Sequence, residues 1–135
     1  VEGPYGCFDF EDAQPRQIWV GAGIGITPFI ARLKSRAATP EAKAIDLFHP
    51  TSEFDRNAID LLTEDAAAGD ARLHLLIGDK DGRLNGERIR AAVPQWQSAS
   101  IWFCGPAGFG QSLREDFLAH GLPPDRFHQE LFQMR

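Results

Sequence analysis

Short apolar runs alternate with longer stretches of helical period along this chain. Gln17–Val20 (QIWV) is apolar and runs into a glycine turn, which predicts a buried strand. Pro28 suits the first turn of a following helix, where its missing N–H costs nothing. That helix runs to about Arg36, with Phe29, Ile30 and Leu33 on its buried side, and Thr39-Pro40 breaks it. Ala44–Phe48 (AIDLF) reads as strand two, with Asp46 inside it and His49 at its tip. Asp55 caps a helix through about Ala68, with Ile59 and Leu62 inward, and Gly69 ends it. Leu73–Ile77 (LHLLI) is strand three, and Asn85–Ala92 is a short helix stopped before Pro94. Ser100–Cys104 (SIWFC) is strand four. Gly108–His120 is a helix with Phe109, Leu113 and Phe117 spaced by four, and Gly121 lies just past its end. Arg126–Phe132 is the last strand.

Strands that alternate with helices and are almost continuously apolar belong to a parallel sheet covered on both faces. The fold class is therefore α/β: a doubly wound, mainly parallel five-stranded sheet. Ligands of such sheets bind at the carboxyl ends of the strands, near the switch point. Strands one and four, which end in Gly21 and Gly105, flank that point.

Composition narrows the function. The chain has 135 residues, 43% of them hydrophobic and 24% charged, as expected of one ordinary globular domain. A net charge of −5 without a lysine or arginine run makes nucleic acid and anionic membranes poor partners. No apolar run approaches the roughly 20 residues of a spanning helix, so direct membrane insertion is not expected. Two cysteines, Cys7 and Cys104, are too few for a disulfide scaffold and are expected to be thiols, which favours a reducing compartment. They have no metal spacing, and His49, His74, His120 and His128 do not cluster, so no metal site is expected.

Two turns carry the chemistry. The first, Gly21-Ala22-Gly23-Ile24-Gly25-Ile26-Thr27-Pro28, joins strand one to a helix. Its glycines allow backbone angles that other residues avoid and let a phosphate approach, and the helix N-terminus adds partial positive charge. A tight strand-to-helix turn would use the same glycines without a ligand. Pro28 stands where the dinucleotide fingerprint has its third glycine, and no acidic residue ends strand two, which disfavours a Rossmann dehydrogenase. The second turn is Cys104-Gly105-Pro106. A lone buried cysteine is ordinarily a small hydrophobe. This one ends a strand beside the predicted switch point, ahead of a Gly-Pro turn.

With the closing segment Phe127–Phe132 (FHQELF), these motifs, in this order and at these separations, resemble the NAD(P)H-binding half of the ferredoxin reductase family. The flavocytochrome ferric reductases and NADPH oxidases are the subgroup most similar. The resemblance runs from Gly3 to Phe132. It implies NAD(P)H bound over Gly23, Ile24, Gly25, Thr27 and Pro28, with Gly105, Pro106 and Phe109 lining the opposite wall. It implies that Cys104 lies near the nicotinamide carbon that gives up hydride, in a positioning role. It also implies that Glu130 and Phe132 approach the flavin, the aromatic covering the ring where nicotinamide enters. The bland reading of that last segment is a half-buried edge strand, with Phe127 and Leu131 on one face and His128, Glu130 and Phe132 on the other.

By the same resemblance FAD is held by a flavin-binding domain of the same parent protein, since this chain has no Arg-x-Tyr-Ser strand. Gly3-Pro4-Tyr5-Gly6 is similar to the segment that leaves that domain. Residues 1–16 are then an interdomain segment and 17–135 the NAD(P)H-binding domain. A heme-bearing membrane domain is a further implied partner, which sets the chain at the cytoplasmic face. After strand three, Lys80 and Arg83 attract a 2′-phosphate while Asp79 repels it, so NADH and NADPH stay open. The competing class is a non-catalytic nucleotide-binding or regulatory domain that uses the same turn.

Overall fold

The computed structural model describes residues 16–38, 44–51, 55–78 and 84–132. The expectations for Gly3–Cys7, Thr39-Pro40, Asp79–Arg83 and Gln133–Arg135 lie outside the described residues. So do the side chains of Ile24, Glu130, Leu131 and Phe132.

Five strands form one sheet: β1 (Arg16–Gly21), β2 (Ala44–Thr51), β3 (Ala71–Ile77), β4 (Ala99–Pro106) and β5 (Phe127–Phe132). Their order is β3-β2-β1-β4-β5, and every neighbouring pair is parallel. This is the doubly wound α/β sheet that the alternation predicts. The strands begin in the middle with β1, step out to β3, then cross back to lay β4 against the other side of β1. The direction of winding reverses between β1 and β4.

Helices α1 (Thr27–Ala38), α2 (Arg56–Ala68), α3 (Gly86–Ala92) and α4 (Ala107–Ala119) cover the two faces. On one face Phe29, Leu33, Leu62 and Ala66 pack on Trp19, Leu47, Trp102 and Cys104. On the other, Ile89, Leu113 and Phe117 pack on Ile18, Val20, Phe48, Ile101 and Phe103. Alternate residues of each strand feed opposite cores, as the two-residue strand period requires. Trp19 and Trp102 are register partners on the central strands. Each indole N–H donates to the side chain two residues earlier, Gln17 at 2.9 Å and Ser100 at 3.1 Å. That pairing lets two large rings be buried without an unmet donor.

Helix α2 has the predicted bounds. Asp55 Oδ1 accepts from the amides of Asn57 and Ala58, and Gly69 caps the other end. Ile59 is half-buried rather than fully inward. Helix α4 starts at Ala107, one residue before the expected Gly108, and Gly121 follows it with φ +103°. Strands β2 and β4 both outrun their expected bounds. β4 takes in Gly105 and Pro106, which pair with β5, so Cys104-Gly105-Pro106 is strand and not the expected turn. β2 runs to Thr51, so His49 is inside the strand and not at its tip. Pro50 lacks a ladder N–H, but β1 pairs with β2 only as far as Val20 and Phe48. Beyond that point β2 has β3 alone as a neighbour, and a missing N–H is tolerated as at a sheet edge.

Candidate functional site

The carboxyl ends of β1 and β4 form a crest at the winding reversal. Gly21 and Cys104 are register partners there, and the chain leaves both strands for a helix. From β1 it passes through a 3₁₀ turn, Gly23–Ile26, into α1 at Thr27. From β4 it enters α4 directly after Pro106. The turn after β1 and the end of β4 interlock through backbone. The Ala22 amide donates to the Cys104 carbonyl at 3.0 Å, and the Gly25 amide donates to the Ala22 carbonyl at 2.9 Å.

Two glycines of the first turn serve different ends. Gly23 has φ +57°, the left-handed region, and a Cβ placed there would meet nothing. It is exposed, on the open side of the crest. Gly25 is not in that region; the expectation of unusual angles fails for it. It must be glycine because a Cβ would overlap the carbonyl oxygen of Cys104. In return, a Cβ on Gly105 would come within 2.9 Å of Ala22 Cβ.

The crest has no charged side chain from Gly21 to Pro28 or from Cys104 to Gly110. Neither α1 nor α4 has an acidic residue in its first turn, and Pro106 offers α4 no side-chain cap. Two long helices, one on each face of the sheet, thus start at the carboxyl ends of β1 and β4 with the partial positive charge of their N-termini. Anionic groups are favoured there.

The predicted residues gather unevenly. Thr27, Pro106, Ala107 and Gly108 are exposed on the crest, and Pro28 is buried at the start of α1. Phe109 is half-buried, its ring edge-on to Phe103 with centroids 5.3 Å apart. Cys104 is a fully buried thiol in the α1/α2 core, and its carbonyl reaches the crest. Strand register sets Glu130 opposite Cys104 and Phe132 opposite Pro106, so β5 brings both positions alongside the end of β4. Among the described residues a half-open cavity of about 270 Å³ lies elsewhere, on the flank, lined by Phe48, His74, Leu76, Leu84 and Arg88.

Sequence reasoning passed over His49 as a site residue. Its Nδ1 lies 2.7 Å from the carbonyl oxygen of Gly21, the residue that opens the first turn. A carbonyl only accepts, so Nδ1 carries the proton and the neutral ring has a bare Nε2. Burial lowers the pKa of His49 below the ordinary 6.5, and the hydrogen bond to Gly21 opposes part of that shift. The available signal was a histidine just before Pro50, but its partner lies in another strand.

No family model matches the chain. It is 26% identical over 139 residues to a flavohemoprotein of Pseudomonas aeruginosa, covering 96% of this chain and 35% of that protein. It is 32% identical over 136 residues to the phenoxybenzoate dioxygenase subunit beta of Ectopseudomonas oleovorans, covering 98% of this chain and 39% of that one. The crystal structure of a flavohemoglobin from Malassezia yamatoensis, solved with bound FAD and heme, superposes with a TM-score of 0.73. That match has 23% identity and covers 90% of this chain and 33% of that one. The chain spans between about a third and two fifths of the length of the curated relatives it matches.

Proposed function

We propose, from the premise that this chain is a ferredoxin reductase-like NAD(P)-binding domain, that it is the NAD(P)H-binding module of a flavin-dependent oxidoreductase. The observation that carries the reading is the glycine turn after β1 interlocked with the end of β4 at the winding reversal, both segments without a charged residue and each leading into a helix N-terminus. A pyrophosphate fits this cradle: Gly23 leaves room for it, and no carboxylate in either first turn opposes it. Gly23, Ile24, Gly25 and Thr27 would hold the phosphates. Gly105, Pro106 and Phe109 would wall the nicotinamide end, with Cys104 setting the position of that wall from beneath.

The coenzyme would supply hydride, and FAD held by an adjacent domain of the same protein would accept it. The residues of this chain have no proton to move in such a step. Their work is placement, which can be worth many orders of magnitude in rate. Glu130 and Phe132, on the strand beside the end of β4, would meet the flavin. The subgroup favoured by the sequence motifs is the ferric reductase-like flavocytochromes. A heme-bearing membrane domain would then lie further along the parent protein, with this module on its cytoplasmic side.

Stopped-flow reduction of FAD in the full-length protein, at saturating NADH and then NADPH, tests the reading. Cys104→Ala and Cys104→Ser should keep coenzyme affinity within a few-fold and slow flavin reduction, on the order of 10- to 100-fold. Reduction at the parental rate in both variants would make Cys104 a packing residue. Absence of saturable binding of either coenzyme to the unaltered protein would remove the module assignment itself.

A further inference from the structure

Three of the hydrogen bonds that hold the first turn of the crest come from three directions, two of them backbone to backbone and one from a side chain. On the β4 side, the Cys104 carbonyl takes the Ala22 amide. Within the turn, the Ala22 carbonyl takes the Gly25 amide. On the β2 side, the Gly21 carbonyl is met by His49 Nδ1 at 2.7 Å. That third hold falls where the β1–β2 ladder ends, at Val20 and Phe48, while β2 itself continues along β3 to Thr51. The imidazole therefore takes over from the ladder at the place where β1 departs for the turn.

We propose that His49 is a positioning residue for the coenzyme turn: its Nδ1–H fixes the Gly21 carbonyl, and so fixes the conformation in which the Ala22–Ile26 backbone receives the phosphates. The inference rests on the reading of the crest as the coenzyme site. Two local features suit His49 to the task. It precedes Pro50, which confines it to extended backbone and limits where the ring can swing. It is 9% exposed, so water competes poorly for the Gly21 carbonyl. The bond also settles the neutral tautomer of the ring. His49 touches the turn and not the reacting atoms, so its effect would appear in affinity and turn order before it appeared in the rate of hydride transfer.

Three variants separate the donor from the bulk of the ring. Asparagine places its Nδ2–H₂ at the same bond distance from Cα as His Nδ1. Glutamine places its donor one bond further out, and leucine has none. Amide hydrogen exchange on the full-length protein without coenzyme reads the turn directly. His49→Leu and His49→Gln should speed exchange across Ala22–Ile26 by about 10-fold or more. His49→Asn should stay within about threefold of the unaltered protein. Dissociation constants for NADH and NADPH should rank the same way. Unchanged exchange in His49→Leu, or exchange in His49→Asn as fast as in His49→Gln, overturns the proposal. Should His49→Leu not fold, the Asn and Gln pair decides. If exchange follows the expected order but the unaltered protein binds neither coenzyme, the brace stands and the coenzyme reading of the crest falls.

Discussion

The crest between β1 and β4 and the flank of the sheet around Asp46 are built on opposite principles. On the flank, a carboxylate only 2% exposed lies 3.3 Å from Arg16, 3.0 Å from His74 and 3.6 Å from Arg72. His74 is further pinned by stacking on Phe48, with ring centroids 4.3 Å apart and planes within 9°. Charge is met by charge there. Gly21–Pro28 and Cys104–Gly110, which form the crest, contain no charged residue, and its shape comes from glycines and carbonyls. A search for clustered acids and bases would stop at the flank. In this molecule side-chain charge fastens the sheet, while backbone geometry and helix ends form the surface that favours an anion. Asp46 also has the wrong place for reading a ribose, since it is committed to Arg16 and His74 inside the strand.

That contrast can be broken at either end. The largest effect belongs to Gly25→Ala. Its Cβ meets backbone rather than a flexible side-chain tip, so the first turn and the end of β4 must part; a loss of about 3–5 kcal/mol in denaturant unfolding is expected, with coenzyme affinity lost as well. Ordinary stability in this variant would mean that the two segments do not interlock as described. Asp46→Asn should cost less, about 1–2 kcal/mol, because Arg16 and His74 are partly exposed and can be hydrated when the charge is removed. Coenzyme affinity should be unchanged within error by calorimetry. A large fall would mean that flank and crest are coupled, and the division between them would dissolve.

Gly23→Ala sharpens the comparison inside the crest. The added methyl meets no atom, so only the left-handed backbone is penalised, by roughly 1 kcal/mol in stability. The same methyl stands on the open side, so affinity for NADH and NADPH should fall more than stability does. The smallest effect is one of pH. The His49 pKa is lowered in the folded state, so the unfolded chain binds more protons between the lowered value and 6.5. Stability contributed by neutral His49 is complete above about pH 6.5 and declines as pH falls toward the lowered value. His49→Asn should remove that part of the pH dependence of thermal unfolding and leave the rest. Parallel profiles for both proteins would show that His49 does not titrate with folding.

The ability to read these regions from sequence follows the distance over which their causes act. Helix α2 was legible to the residue because Asp55 and Gly69 act within one turn of the helix they bound. The sheet class was legible because every strand carries its own apolar run. The location of the crest followed from those two, through the rule for doubly wound sheets. What could not be read is what depends on a partner far along the chain. Nothing local to Gly25 says that its constraint is the carbonyl of Cys104 and not its own backbone angle. Nothing local to His49 names Gly21, and nothing local to Pro50 shows that β2 has by then lost β1 as a neighbour. Phe109 was expected on the wall of the site, and its half-burial against Phe103 depends on how α4 seats on the sheet.

The bond from Ala22 to Cys104 also has a consequence for how the chain assembles. Its two ends are separated by β2, β3 and the helices between them, so the first turn cannot take its final form until β4 has docked against β1. Contacts of such long range close late, because the entropy of the intervening chain is lost before they repay it. A nascent chain halted before β4 would have the glycine motif in sequence without the cradle in space. A ligand of the crest would therefore bind only chains in which β4 has docked, and by mass action it would draw half-built chains toward the finished fold.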